Sequence, residues 1–371
     1  MKELKELNAG GRPAQYEFFI QWHLTERCNL SCRHCYQPGG QGAPAISGHG
    51  PHDRLDEMSL EEISGVAEEV ARMLESWAET YAIRFSPSFN ITGGEPLLRR
   101  DLFDVLGLLG KTGFEIYLLT NGTLIDRAAA RAISSSGVGG VQVSIEGPKD
   151  VHDAVRGKGS FQKAVNGVRN LMDFGCDVTL NLTLSRLNSA CLDETLGLAE
   201  ALGVKFGFSR LVPSGRGKAL LGEMLGPDEV KGIYEYIVSK QSEGMSIVSG
   251  DPLTGQGAPA ISGHGPRQGA GSPHDCGVAF GGCAAGVSGL TIMPDGTVTP
   301  CRRLPLPLGN VRKDSLRELW AASPVLAALR DAKRYKGKCG QCPRWSVCRG
   351  CRAIAYARTG DFLAEDPQCF I

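Results

Sequence analysis

The sequence predicts an α/β protein, a partial (β/α)6, TIM-like barrel followed by a small cysteine-rich C-terminal domain. Three observations carry this. Six short apolar runs alternate with helical patterns between residues 18 and 210, the pattern of a parallel sheet with crossover helices. Three cysteines, Cys28, Cys32 and Cys35, follow the first run directly. Eight more lie between Cys276 and Cys369, which leaves only Cys176 and Cys191 elsewhere in the 371 residues.

The first strand is read over residues 18–24 and delivers the cysteine loop. Ser59 and Glu62 form a Ser-x-x-Glu capping box that opens an amphipathic helix running to residue 80. Strands at 89–92, 115–120, 141–145, 178–184 and 204–210 then alternate with helices at 102–111, 126–136, 161–174 and 192–202. Six units are two short of a closed eight-fold barrel. The expected division is a polar tail over 1–15, the barrel over 16–235, a linker over 236–274 and the cysteine-rich domain over 275–371. Twelve residues, Gly40 to Pro51, recur unchanged at Gly255 to Pro266, far too distant for a stacked repeat. Both copies read as insertions into tolerant loops, His49 and His264 included.

Forty basic and forty acidic side chains cancel, which argues against a general nucleic-acid binder. No run approaches the length needed to cross a bilayer, and residues 1–13 have no apolar signal core. With 13 cysteines, a cytoplasmic, reduced, metal-loaded and oxygen-sensitive protein is the expectation.

The spacing C-x3-C-x2-C at Cys28, Cys32 and Cys35 brings three thiolates to one centre. Structural zinc takes four ligands, so three point to an iron–sulfur centre with one open coordination position. Further candidates lie at predicted strand ends, where a parallel barrel puts its chemistry. Gly93-Gly94-Glu95-Pro96 combines glycines, which let backbone approach a ligand, with a carboxylate that can accept from an ammonium group. Ser144 offers a hydroxyl and Arg156 a guanidinium fork suited to a carboxylate. Strand alternation is expected to turn Asn181 and Arg210 into the same mouth, while His23 reads as a satisfied core histidine. In the C-terminal region Cys276, Cys283, Cys301, Cys339, Cys342, Cys348, Cys351 and Cys369 can supply two closed four-ligand sites. Zinc ribbons share the paired C-x2-C step and are the rival reading.

The cysteine loop, together with the glycine–glutamate motif, resembles the radical S-adenosylmethionine enzymes, and the C-terminal cysteines resemble their SPASM extension. The resemblance covers residues 18–369 apart from the repeats. It implies an open six-unit barrel with a side gap for large substrates. It also implies a 4Fe-4S cluster on Cys28, Cys32 and Cys35 whose open iron takes S-adenosyl-L-methionine. By the same resemblance Gly93, Gly94 and Glu95 hold the methionine amino group, Ser144 the ribose and Arg156 the carboxylate. His34 and the Leu211 backbone would meet the adenine. Cys276, Cys283, Cys301 and Cys351 would hold one auxiliary 4Fe-4S cluster, and Cys339, Cys342, Cys348 and Cys369 the other. Without Cys276 one auxiliary iron would stay open. The implied chemistry is cleavage to a 5′-deoxyadenosyl radical, fed by a flavodoxin- or ferredoxin-type donor, and hydrogen abstraction from a substrate.

Residues 21–27, 142–147 and 300–305 look most like maturases of ribosomally made peptides, which makes a peptide the expected substrate. The closing run from Cys351 to Cys369 is similar to haem d1 and alternative-haem enzymes, which act on tetrapyrrole side chains. Sulfatase-maturing enzymes carry an acid just after the cysteine matching Cys301, and Arg302 stands there instead. A non-catalytic iron–sulfur carrier is the expectation from another class, but such a carrier needs no adenosyl pocket.

Overall fold

The computed structural model describes residues 15–37, 57–255 and 282–371. Cys276 and both repeat copies, apart from Gly255, lie outside the described residues. Strands β1 (Gln15–His23), β2 (Arg84–Thr92), β3 (Glu115–Thr120), β4 (Gly140–Ser144), β5 (Val178–Leu184) and β6 (Lys205–Arg210) run parallel in sequence order. Between them come α1 (Leu60–Tyr81), α2 (Leu102–Gly110), α3 (Arg127–Ser135), α4 (Lys149–Arg156), α5 (Ser160–Asp173) and α6 (Leu192–Leu202).

The sheet goes further than six units. After α7 (Pro227–Ser242), the two-residue β7 (Ile247–Val248) pairs parallel to β6. On the other edge β8 (Gly289–Ile292) pairs parallel to β1 and continues antiparallel into β9 (Thr297–Thr299) and β10 (Gly309–Asn310). Eight strands are therefore parallel, in the order β8-β1-β2-β3-β4-β5-β6-β7. A boundary at residue 235 falls inside α7. The seventh and eighth strands escaped the sequence because two and four residues are too few to show a period.

Local chemistry sets the long helix. The Ser59 hydroxyl accepts from Glu62 N at 3.1 Å, and the Glu62 carboxylate accepts from Ser59 N at 2.7 Å. Ile63, Val66, Ala67, Val70, Met73 and Leu74 then bury one stripe of α1, each contributing about 1.5–3 kcal/mol of transfer free energy for the larger side chains. The stripe joins one core cluster with Phe18, Ile20 and Trp22 on the outer face of β1. In α8 (Leu316–Ala322), Trp320 packs its ring 5.0 Å from Phe18 and 5.9 Å from Trp77. The C-terminal region thus shares the barrel's main core.

Register assigns the opposite face. Gln21 pairs with Asn90, Asn90 with Tyr117, Ser144 with Asn181, and Thr183 with Ser209. The inner wall is therefore lined by amides and hydroxyls. Among the described residues no helix is long and apolar enough to cross a membrane.

Candidate functional site

The cysteine loop is held by backbone contacts on several sides. Leu24 N donates to Thr92 O at 2.9 Å, Gly94 N to Thr25 O at 2.7 Å and Glu95 N to Arg27 O at 2.8 Å. The end of β2 is thereby zipped to the entry of the loop. This is why two glycines stand there: a Cβ on Gly93 would lie 2.6 Å from Thr25 O, and one on Gly94 2.2 Å from Arg27 O. Their close partner is the loop itself. Beyond Cys28, Asn121 Nδ2 donates to Asn29 Oδ1 at 2.9 Å, and Asn29 Nδ2 to Thr123 Oγ1 at 2.9 Å. Arg33 N reaches Val155 O at 2.9 Å, Arg216 Nε reaches Cys32 O at 2.9 Å and Gly217 N reaches Cys35 O at 3.1 Å.

Gly94→Ala is accordingly expected to displace the loop. Iron should fall by about four atoms per chain, and formation of 5′-deoxyadenosine should drop at least tenfold, read by iron assay and chromatography. Gly107→Ala, with nothing within 4 Å of its Cβ, is the control and should stabilise α2 by about 0.5–1 kcal/mol.

Cys28 is exposed, Cys32 buried and Cys35 half-buried, and all three are free thiols. Burial pushes the Cys32 thiol up while the Arg156 charge pulls it back, and Cys35 is near enough to add its own effect. Among the described residues no trio of Cys, His, Asp or Glu converges closely enough to hold a single metal ion. A four-iron cage is larger than one ion and asks for more widely spaced sulfurs. The donor set fits such a cage: three free thiols on a braced eight-residue loop.

Around the loop, Glu95 is fully buried. Its Oε1 accepts from Thr120 Oγ1 at 2.7 Å and its Oε2 from Asn121 N at 2.8 Å, while burial pushes its carboxyl up to about 6. The Glu95 side chain thus braces the motif from behind. Among the described residues, the carbonyls of Gly93 and Gly94 accept no hydrogen bond. Arg156 donates from Nε and Nη2 to Glu146 Oε1 at 2.9 and 2.6 Å, and its Nη1 lies 3.8 Å from Cys32 Sγ. Burial pushes the Glu146 carboxyl up, but Arg156 and His34 outweigh it and hold the group below its usual range. His34 sits between them, with Nε2 3.4 Å from Glu146 Oε1 and 3.5 Å from Arg156 Nη2. Its buried Nδ1 has no partner among the described residues. Ser144 closes β4 on the inner face, beside Asn181. Leu211 N donates to Leu184 O at 3.0 Å, and its side chain joins a small apolar cluster with Val212, Leu220 and Leu304.

His23 is buried with Nε2 3.4 Å from Tyr36 Oη and Nδ1 3.4 Å from Gln37 Nε2, as a satisfied core histidine should be. Arg210 corrects the expectation of a shared mouth. Asn181 pairs with Gly207, and Arg210, three residues on, faces the opposite side with Phe206 and Phe208. It is fully buried and bonded to Asp251, Asp366 and Gln368.

In the C-terminal region the described cysteines are also free. Cys283 N donates to Cys348 O at 2.9 Å, and Cys351 N to Asp366 Oδ2 at 2.8 Å. The charge of Cys283 is felt at both Cys301 and Cys351, and that of Cys369 at Cys339. Arg352 Nη2 reaches Cys339 Sγ at 3.6 Å, and Gly350 N reaches Cys348 Sγ at 3.3 Å. Cys342 is half-buried. Sequence reasoning missed Asn121, which the strand-end rule used for Glu95 would have found, and Arg216, for which no local signal exists.

An open parallel barrel with a three-thiol loop at its mouth, and a second set of thiols beside it, defines an iron–sulfur enzyme of the barrel class. The family comparison gives the particular one. Residues 22–199 match the radical SAM superfamily, and residues 283–352 match SPASM, an iron–sulfur cluster-binding domain. The AdoMet-dependent heme synthase of Methanosarcina barkeri is 32% identical over 94% of this chain and 95% of that protein. The mycofactocin maturase MftC of Mycolicibacterium smegmatis is 30% identical over 94% of this chain and 82% of that one. The structure of Streptococcus suis SuiB bound to S-adenosylmethionine matches with a TM-score of 0.68 at 14% identity, covering 100% of this chain and 80% of SuiB. The chain belongs to the radical SAM superfamily and carries a SPASM domain. It is an enzyme whose cofactors are S-adenosyl-L-methionine and iron–sulfur clusters.

Proposed function

We propose that this enzyme acts on a ribosomally made peptide and releases it oxidised or cross-linked. A cluster held there, with an electron from a flavodoxin- or ferredoxin-type donor, would supply the one-electron chemistry that cleaves S-adenosylmethionine to a 5′-deoxyadenosyl radical for hydrogen abstraction from the substrate. Cys28, Cys32 and Cys35 hold the radical centre. The Gly93 and Gly94 carbonyls orient the methionine ammonium, with Glu95 bracing them. Arg156, whose Nη1 is left over from its bonds to Glu146, would meet the carboxylate, Ser144 would receive the ribose, and His34 with the Leu211 backbone would flank the adenine. Cys276, Cys283, Cys301 and Cys351 hold one auxiliary cluster, and Cys339, Cys342, Cys348 and Cys369 the other. The nearness of Cys283 to both Cys301 and Cys351, and of Cys369 to Cys339, supports that division.

The observation that carries the peptide reading is the inner wall below the loop. Gln21, Asn90, Gln142 and Asn181 share the inner face of β1, β2, β4 and β5, with Gln21 directly beside Asn90 and the other two staggered further along the strands. Each side-chain amide both donates and accepts, which matches the alternating groups of a peptide backbone. An apolar macrocycle would leave those groups unmet, at about 1–3 kcal/mol each. A second reading, modification of tetrapyrrole side chains, draws on the identity and nearly full coverage of the heme synthase relative.

Anaerobically reconstituted enzyme is expected to hold about twelve irons per chain, for three clusters of roughly four. With dithionite it should form 5′-deoxyadenosine. A short peptide encoded beside the gene should lose about 2 Da per new bond, read by mass spectrometry against the two-hydrogen balance of oxidation. Conversion of an iron porphyrin instead would replace the peptide reading with the second. A value near four irons together with zinc would remove the auxiliary-cluster assignment.

A further inference from the structure

Arg302 and Arg303 follow Cys301 into the place where the C-terminal region meets the cysteine loop. Their guanidinium carbons lie 5.5 and 6.0 Å from the centre of the Tyr36 ring. The Tyr36 hydroxyl in turn is 3.4 Å from His23 Nε2, on the inner face of β1. Arg303 Nη2 donates to Ser209 Oγ at 3.1 Å, on the inner face of β6. The pair therefore stands across the barrel mouth, from the β1 wall to the β6 wall.

The charges around the pair do not balance. Arg99, Arg156 and Arg210 each face a carboxylate. Among the described residues neither Arg302 nor Arg303 makes an ion pair, and neither has an unstated partner. Arg303 lies beside Arg302, with Cys301, Tyr36 and Cys351 as its other charged neighbours. Burial, and then the Arg302 charge, holds the His23 imidazole down at about 3, so the histidine stays neutral beside it. His34, on the loop side, also feels Arg303. Cys301 lies within reach of both guanidinium groups, and Arg302 also lies toward Tyr36 and His23, on the barrel side. Two half-buried cations side by side repel, and such an arrangement persists where an anion completes it.

We infer that Arg302, assisted by Arg303, is the substrate-recognition site for a carboxylate, gripped by a planar guanidinium fork across the barrel mouth. The inference rests on the radical-enzyme reading of the same mouth. The carboxylate is an acidic peptide side chain or a macrocycle propionate, and the probes separate the two sources.

Reconstituted holoenzyme is titrated anaerobically with coproporphyrin III and its tetramethyl ester. A parallel titration uses the blocked pentapeptide Ala-Gly-Glu-Gly-Ala and its glutamine counterpart. At least one acid should bind tenfold or more tightly than its neutral partner, and Arg302→Met should remove that tenfold preference. Arg302→Lys, which keeps the charge without the fork, should fall between. Preference confined to the porphyrin pair assigns a propionate, and preference confined to the peptide pair assigns an acidic side chain. The inference is overturned if neither acid is preferred, or if Arg302→Met leaves the preference intact. An equal loss of S-adenosylmethionine affinity in the variant would move Arg302 to the cofactor and overturn it too. Failure of the wild type to form 5′-deoxyadenosine would sink the proposed reaction, yet leave these equilibrium titrations readable.

Discussion

Replacing Cys32 by alanine is expected to abolish 5′-deoxyadenosine formation and to remove about four irons per chain while the fold survives. The sulfur is central in the loop and buried, with Arg156 Nη1 3.8 Å away. Two thiols remain, which is too few to hold a cage against loss, and no other cysteine stands on the loop. The loop's backbone bonds to Arg216, Gly217 and Val155 do not involve the sulfur, so deleting it should cost only about 1 kcal/mol of packing. Melting by far-UV circular dichroism should therefore shift by roughly 2–4 °C. Product formation at the wild-type rate would refute the ligand assignment. Loss of all the iron, in place of one cluster's worth, would show that the loop and the C-terminal sites load together.

Arg210→Met should be the most destabilising single change in the buried polar network. Its guanidinium donates to Asp251 at 2.8 Å, to Asp366 at 3.1 and 2.8 Å and to Gln368 at 3.1 Å. Asp366 also accepts from Cys351 N, and Gln368 Nε2 donates to Leu225 O, so the network ties β6 and the end of the barrel to the C-terminal cysteines. Removing the cation strands two buried carboxylates, and breaking such a pair costs about 3–5 kcal/mol. Urea unfolding should show that loss, and iron should fall by about four atoms per chain, the cluster that Cys351 shares, as Cys351 loses its anchor. Arg186→Met removes a solvent-exposed pair with Glu229, and should leave the unfolding midpoint close to that of the wild type. The triple change Arg210→Met, Asp251→Asn, Asp366→Asn takes away the stranded charges and should recover much of the stability. Equal midpoints for Arg210→Met and Arg186→Met would refute the role given to burial.

Much of the frame could be read in the chain alone. The edges of β3, β5 and α6 coincide with the sequence reading, because alternation and helical spacing are local properties. The capping box at Ser59 formed as expected for the same reason. Long-range facts were hidden. Gly93 and Gly94 were read as letting backbone approach a ligand, and the structure adds a demand the sequence hid, since a Cβ on either would meet the Thr25–Arg27 backbone. Arg210 was placed one face wrong, since parity must be counted from the register with β5, and Gly207 opposite Asn181 gives no side chain to mark it. The pairing of β8 with β1 joins residues far apart in sequence, and four residues carry no periodic signal of it.

The sequence by itself determined the chemistry: three thiols in eight residues, a glycine–glutamate turn after a strand, and a second set of thiols near the end. Those are matters of side-chain type and covalent spacing, which need no fold to be read. Only the tertiary structure decided which groups oppose one another. It gave Glu95 to Thr120 and Asn121, Arg156 to Glu146 and Arg210 to Asp366, and among the described residues it left Arg302 over the Tyr36 ring without a carboxylate. The reason is physical: a buried charge takes its meaning from its neighbours in space, and those are set by strand register and packing between distant segments.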